Sequence, residues 1–105
     1  MSLTSLPLYN QAAFSYTTTL GSVGVALKFE YNTRTKFYHV TVVLRDGVEI
    51  LSEKKLLPNT YLSNSYMKDA GITGVILLSP KSDKIDLNNV TPDNFADNFL
   101  LSYFF

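Results

Sequence analysis

The chain contains no cysteine, no tryptophan and only one histidine. Without thiols there is no disulfide framework and no thiolate metal site, which fits synthesis in a reducing cytosol. Charge is scarce too: nine basic residues balance nine acidic ones for a formal net charge of zero, and charged residues make up only 17%. Non-specific nucleic-acid binding needs a basic surface to displace phosphate counterions, and this balance supplies none. No apolar run approaches the length of a membrane span, and residues 1–13 lack the basic start and long apolar stretch of a signal peptide. The reading is a soluble protein. Glycines at 21, 24, 71 and 74 match no phosphate-binding loop, and the nucleophile-elbow pattern Gly-x-Ser-x-Gly does not occur.

What the chain does have is β-forming material. Hydrophobic residues make up 46% and aromatics 13%, with seven Tyr and seven Phe, beside many Val, Ile and Thr that favour strands. At 105 residues the expectation is one β-domain over 1–105. It divides into an N-terminal arm (1–13), a meander (14–57), a loop (58–73) and closing strands with their loop (74–105).

The meander reads as four strands. Gly21-Ser22 is a two-residue hairpin turn between runs at Phe14–Leu20 and Val23–Tyr31, and sets Leu20 opposite Val23, Tyr16 opposite Leu27 and Phe14 opposite Phe29. A four-residue loop at Asn32–Thr35 then predicts Phe29 opposite Tyr38 and Leu27 opposite Val40. At Arg45-Asp46-Gly47 a two-residue turn would set carboxylates on the core face. A three-residue loop with Gly47 left-handed instead pairs Leu44 with Val48 and Val42 with Ile50. The predicted inner face is Phe14, Tyr16, Thr18, Val25, Leu27, Phe29, Tyr38, Val40, Val42, Leu44, Val48 and Ile50. Gly74–Leu78, an uninterrupted apolar run of the kind buried on both sides, and Asn98–Phe105 are the strands that close over it. The predicted fold is all-β: a small antiparallel barrel or sandwich of about six strands with at most one short helix. A helix start is expected at Thr91-Pro92, with Thr91 as N-cap.

Chemistry is thin. His39 is expected on the outer face, opposite Glu53 on one side and Lys28 on the other. That is the pattern of a general base with an orienting carboxylate, or of an exposed cross-strand polar pair. With no second histidine and no thiol, the polar pair is preferred. Asp83, Asp86, Asp93 and Asp97, with Asn88, Asn89 and Asn94, lack the spacing and central glycine of a calcium loop and read as solvated loop. No catalytic, cofactor or metal residue is assigned. The outer face of the meander carries Phe37, Val43 and Leu51 among its charges, a candidate protein interface unless the 58–71 loop or the last strand covers it.

The order of features resembles a known family. Phe14-x-Tyr16-x-x-x-Leu20 leads into a strand ending Tyr31-Asn32-x-Arg34. There follow an aromatic-led strand at Phe37-Tyr38, an Asp46-Gly47 turn with Ile50-Leu51, and Leu101-Ser-Tyr103 near the end. Over residues 14–105 this is similar to the small baseplate plug and hub-associated proteins of contractile-tailed bacteriophages. The resemblance implies a non-enzymatic virion component, made in the host cytoplasm and assembled into the tail baseplate. Its partners would be hub, spike or tube proteins, with multiple copies around the tail axis, acting through protein–protein contacts. A small-ligand-binding β-barrel is the alternative, and would require an open, polar interior. A small hydrolase using His39 and Glu53 is the other, and would require a solvent-filled cleft holding both.

Overall fold

In the computed structural model, which describes residues 3–105, eight strands and two short helices follow in order. They are β1 (Leu3–Leu6), β2 (Ala13–Leu20), β3 (Val23–Asn32), β4 (Phe37–Leu44), β5 (Glu49–Lys55), β6 (Tyr61–Leu62), α1 (Ser65–Asp69), β7 (Val75–Pro80), α2 (Phe95–Asn98) and β8 (Phe99–Phe104). The strands form two four-stranded antiparallel sheets, ordered β2-β3-β4-β5 and β1-β8-β7-β6. The architecture is therefore sandwich-like rather than a barrel, with eight strands instead of six and two short helices instead of one. β1 arises within the segment read as an arm, whose Met1 and Ser2 lie outside the described residues.

The first hairpin has the expected register: Leu20 faces Val23, Thr18 Val25, Tyr16 Leu27 and Phe14 Phe29. Gly21 takes the left-handed conformation (φ 67°) that such a turn requires. The β3–β4 register differs from expectation by two residues: Leu27 faces Val42, Phe29 faces Val40 and Tyr31 faces Tyr38. The cause lies in the loop. The Asn32 side chain accepts hydrogen bonds from the N–H groups of Arg34 and Thr35, and Lys36 is left-handed (φ 61°). The turn thus tightens around residues 33–36, and pairing runs on to Asn32 and Phe37. A slip of two keeps every side chain on its own face, so the inner set is unchanged.

The β4–β5 hairpin departs further. Its tip is the expected three-residue loop: Gly47 has φ 90°, and Leu44 N–H donates to the Val48 carbonyl at 2.9 Å. Beyond it the register shifts twice. Val43 faces Glu49, but Val42 faces Leu51 rather than Ile50, while Val40 faces Lys54 and His39 faces Lys55 rather than Glu53. Strict alternation would expose one of the consecutive residues Ile50 and Leu51, and a β-bulge lets both turn inward. Leu51 is 6% exposed, whereas Val48, at the hairpin tip, is 53% exposed and lies outside the core.

Between the sheets the meander contributes Val25, Leu27, Phe29, Tyr38, Val40, Val42 and Ile50. Ile76, Leu78, Phe99, Leu101 and Tyr103 meet them from the second sheet. Phe95 of α2 fills the layer, stacked on Tyr38 with ring centroids 4.0 Å apart. Helix α2 starts three residues later than expected, with Asn94 rather than Thr91 at the N-cap position. Thr91 N–H instead bonds the Asn94 side chain, closing a turn ahead of the helix. Among the described residues no helix is long and apolar enough to cross a membrane.

Candidate functional site: an uncharged sheet face

The second sheet turns alternate residues outward, and strand pairing arranges them in rows. Leu3, Phe104 and Val75 make one row, and Ser5, Ser102, Leu77 and Tyr61 the next. Leu100 and Ser79 begin a third. None of these side chains is charged. Leu3 is 56% exposed, Tyr61 67% and Leu100 50%, and Val75, Leu77 and Phe104 are half-buried. Nine positions at about 4.8 Å between strands and about 7 Å between rows give an uncharged face on the order of 300 Å², comparable to the largest patch on a typical monomer, which is often functional. The inward face of the same strands (Ile76, Leu78, Leu101, Tyr103) is fully buried. The strands are thus apolar inward and uncharged outward, where leucines and aromatics alternate with Ser5, Ser79 and Ser102, and among the described residues only the inward side is fully covered.

The other outer face is polar. There Lys28 faces Thr41 and His39 faces Glu30, not Lys28. A depression of about 350 Å³ is lined by Lys28, Glu30, His39, Thr41, Glu49, Ser52 and Glu53. His39 and Glu53 do meet, but through the Glu53 backbone. His39 Nδ1 lies 3.0 Å from the Glu53 carbonyl oxygen, so it must carry the proton it donates, and Nε2 is engaged by the Thr35 hydroxyl at 3.0 Å. Glu53 N–H donates to Thr41 Oγ1 at 3.1 Å, and Glu53 itself is left-handed (φ 46°). This cluster pins a bulge, and both imidazole nitrogens are occupied in doing so. The space between the sheets, where a ligand-binding barrel would be hollow, is filled by Phe29, Tyr38, Phe95, Phe99 and Tyr103. In the 82–97 loop two side chains serve local turns: Asp86 accepts from Asn88 N–H, and Asn94 donates to the Asn89 carbonyl.

A model of the family described as cyanophage baseplate Pam3 plug gp18 matches residues 3–104. The chain belongs to that family. It is therefore one of a group of β-rich structural proteins of a phage baseplate. No curated protein matches the chain.

Of the three candidate interface residues, Leu51 is removed to the core by the bulge. Phe37 and Val43 stay on the outer face of the meander but stand six positions apart on β4, roughly 20 Å along the strand. Lys55 Nζ caps the Phe37 ring at 5.0 Å from its centroid, and Val43 stands beside Ala26. The uncharged face was missed in the sequence because the apolar run at 74–78 reads as doubly buried. Its signal was that run itself, together with the even-numbered Leu100 and Phe104 of the last strand.

Proposed function

We propose that this protein is a plug of a contractile-tail baseplate, seated at the distal end of the tail tube against hub proteins and present in several copies around the tail axis. Its action is steric: it closes or bridges the tube end until contraction. The observation that carries this reading is the uncharged outer face of β1-β8-β7-β6, on a chain whose family is one of baseplate plugs. A side of a standard interface buries about 800 Å², roughly two to three times this face, so the partner must also reach past its rim. Leu3, Tyr61 and Leu100 would each contribute roughly 1–2 kcal/mol on completing their burial, before association costs. Phe37 and Val43 on the opposite face are the residues for a second, more polar contact.

Incorporation into particles tests this. Tyr61→Glu and Leu100→Glu alter exposed positions, so the domain should melt as the wild type does while the protein is lost from assembled tails. Tails that keep their full complement of the doubly substituted protein would contradict the seating proposed here.

A further inference from the structure

The two edges of the meander sheet are guarded very differently. At the β5 edge there are two register shifts, the exposed lysines Lys54 and Lys55, and a side-chain cap in which Asn64 Nδ2 donates to the Ile50 carbonyl at 2.9 Å. These are the usual devices against edge-to-edge pairing. Among the described residues the β2 edge has none. Its eight residues pair with β3 without a shift and contain no proline or charged residue. No charged side chain occurs anywhere in residues 1–27.

Which main-chain groups face outward is fixed by one bond. Tyr31 N–H donates to the Ala12 carbonyl at 2.7 Å, so in this register Phe14, Tyr16, Thr18 and Leu20 direct their N–H and C=O groups at β3. The groups of Ala13, Ser15, Thr17 and Thr19 therefore point away from the sheet. The inward side chains of this strand are also incompletely covered. Phe14, Tyr16 and Thr18 are half-buried where their β3 partners Phe29, Leu27 and Val25 are fully buried.

We propose that β2 pairs antiparallel with β2 of a second copy of this chain, about a two-fold axis at Tyr16, joining two four-stranded sheets into one. A second copy fits because the edge is complementary to itself. The axis sets Ala13 opposite the partner's Thr19 and Ser15 opposite the partner's Thr17, with all outward N–H and C=O groups matched. Small hydroxyl side chains meet on the outer face, Tyr16 meets the partner's Tyr16 on the inner face, and no like charges oppose each other. The guarded β5 edge prevents β2-to-β5 pairing, so the assembly closes as a dimer instead of growing head to tail. This contact uses neither outer face and stands independently of the plug reading.

Sedimentation of the purified full chain, with amide hydrogen exchange, tests it. The wild type should be a dimer, and the amides of Ala13, Ser15, Thr17 and Thr19 should gain protection as concentration rises. Ser15→Lys with Thr17→Lys sets like charges across the axis from exposed positions and should weaken the dimer roughly tenfold or more at unchanged melting temperature. Thr17→Pro removes an outward donor without touching a β2–β3 bond and should act likewise. A wild type that stays monomeric at millimolar concentration overturns the proposal. So does a dimer that survives the paired lysines, or one dispersed by Leu100→Glu, which would place the contact on the uncharged face. Protection of the same amides only on adding a purified hub protein would assign the edge to a foreign strand and overturn it equally.

Discussion

The Tyr103 hydroxyl accepts a hydrogen bond from the Gly74 N–H at 3.0 Å inside the sandwich. The approach is possible only because residue 74 has no side chain: a Cβ there would collide with the Phe104 carbonyl oxygen and the Tyr103 ring. Gly74→Ala should therefore cost about 2 kcal/mol or more, because the obstacle is backbone and cannot swing aside. Tyr103→Phe leaves a buried N–H unpaired and should cost about 1–3 kcal/mol. Thermal melts of both variants check this, and a Gly74→Ala protein melting with the wild type would contradict the β7–β8 packing.

Val42 lies in the middle of the meander's inner face with no exposed surface. Val42→Asp would place a carboxylate there without a partner, at a cost of several kcal/mol. The expected outcome is failure to fold, read as lost chemical-shift dispersion.

The bulge in β5 gives a graded prediction. Thr41→Val removes the acceptor of the Glu53 N–H and should destabilise by about 1–2 kcal/mol. His39→Ala removes the donor to the Glu53 carbonyl, at a site open to replacement water, and should cost less. Particles carrying His39→Ala should assemble and infect normally. Loss of infectivity at unchanged stability would make His39 a contact residue.

How far the sequence could be read depended on what fixes each register. Gly21-Ser22 admits one hairpin geometry, so β2–β3 followed from the turn alone. At β3–β4 the Asn32 side chain chose between two four-residue loops that serve the same faces, and hydrophobic pattern is blind to a slip of two. At β5 the consecutive Ile50 and Leu51 break alternation. Their bulge depends on Thr41 and His39 reaching across from β4, which no local pattern announces. β1, with only Leu3 and Leu6 apolar in four residues, carries too little pattern to be read as a strand. The candidate surface was lost for a different reason. A strand buried on both faces and one buried on a single face with apolar residues on the other read alike, so Val75–Leu78 predicts double burial where the fold buries Ile76 and Leu78 and leaves Val75 and Leu77 half-buried.

Alkaline pH should weaken the fold through its buried tyrosines. Burial, then Tyr31 and Asp93, pushes the Tyr38 phenol from 10.0 up to about 12, and its hydroxyl donates to the Gln11 carbonyl. Burial, then Tyr9, pushes Tyr16 upward as well. A folded-state pKa above the unfolded one means stability is intact below about 10 and is lost as pH rises toward 12. Denaturant unfolding at a series of pH values should show a plateau and then this fall. In Tyr38→Phe the fall should shrink.

The central claim is that the uncharged face of β1-β8-β7-β6 is a seat for another baseplate protein. Electron cryomicroscopy of the intact tail tip of the phage that carries this protein tests it most directly. The account predicts density for this domain at the distal end of the tube, with Tyr61, Leu77, Leu100 and Phe104 buried against a hub protein. The domain in that position with the same four side chains facing solvent would contradict it.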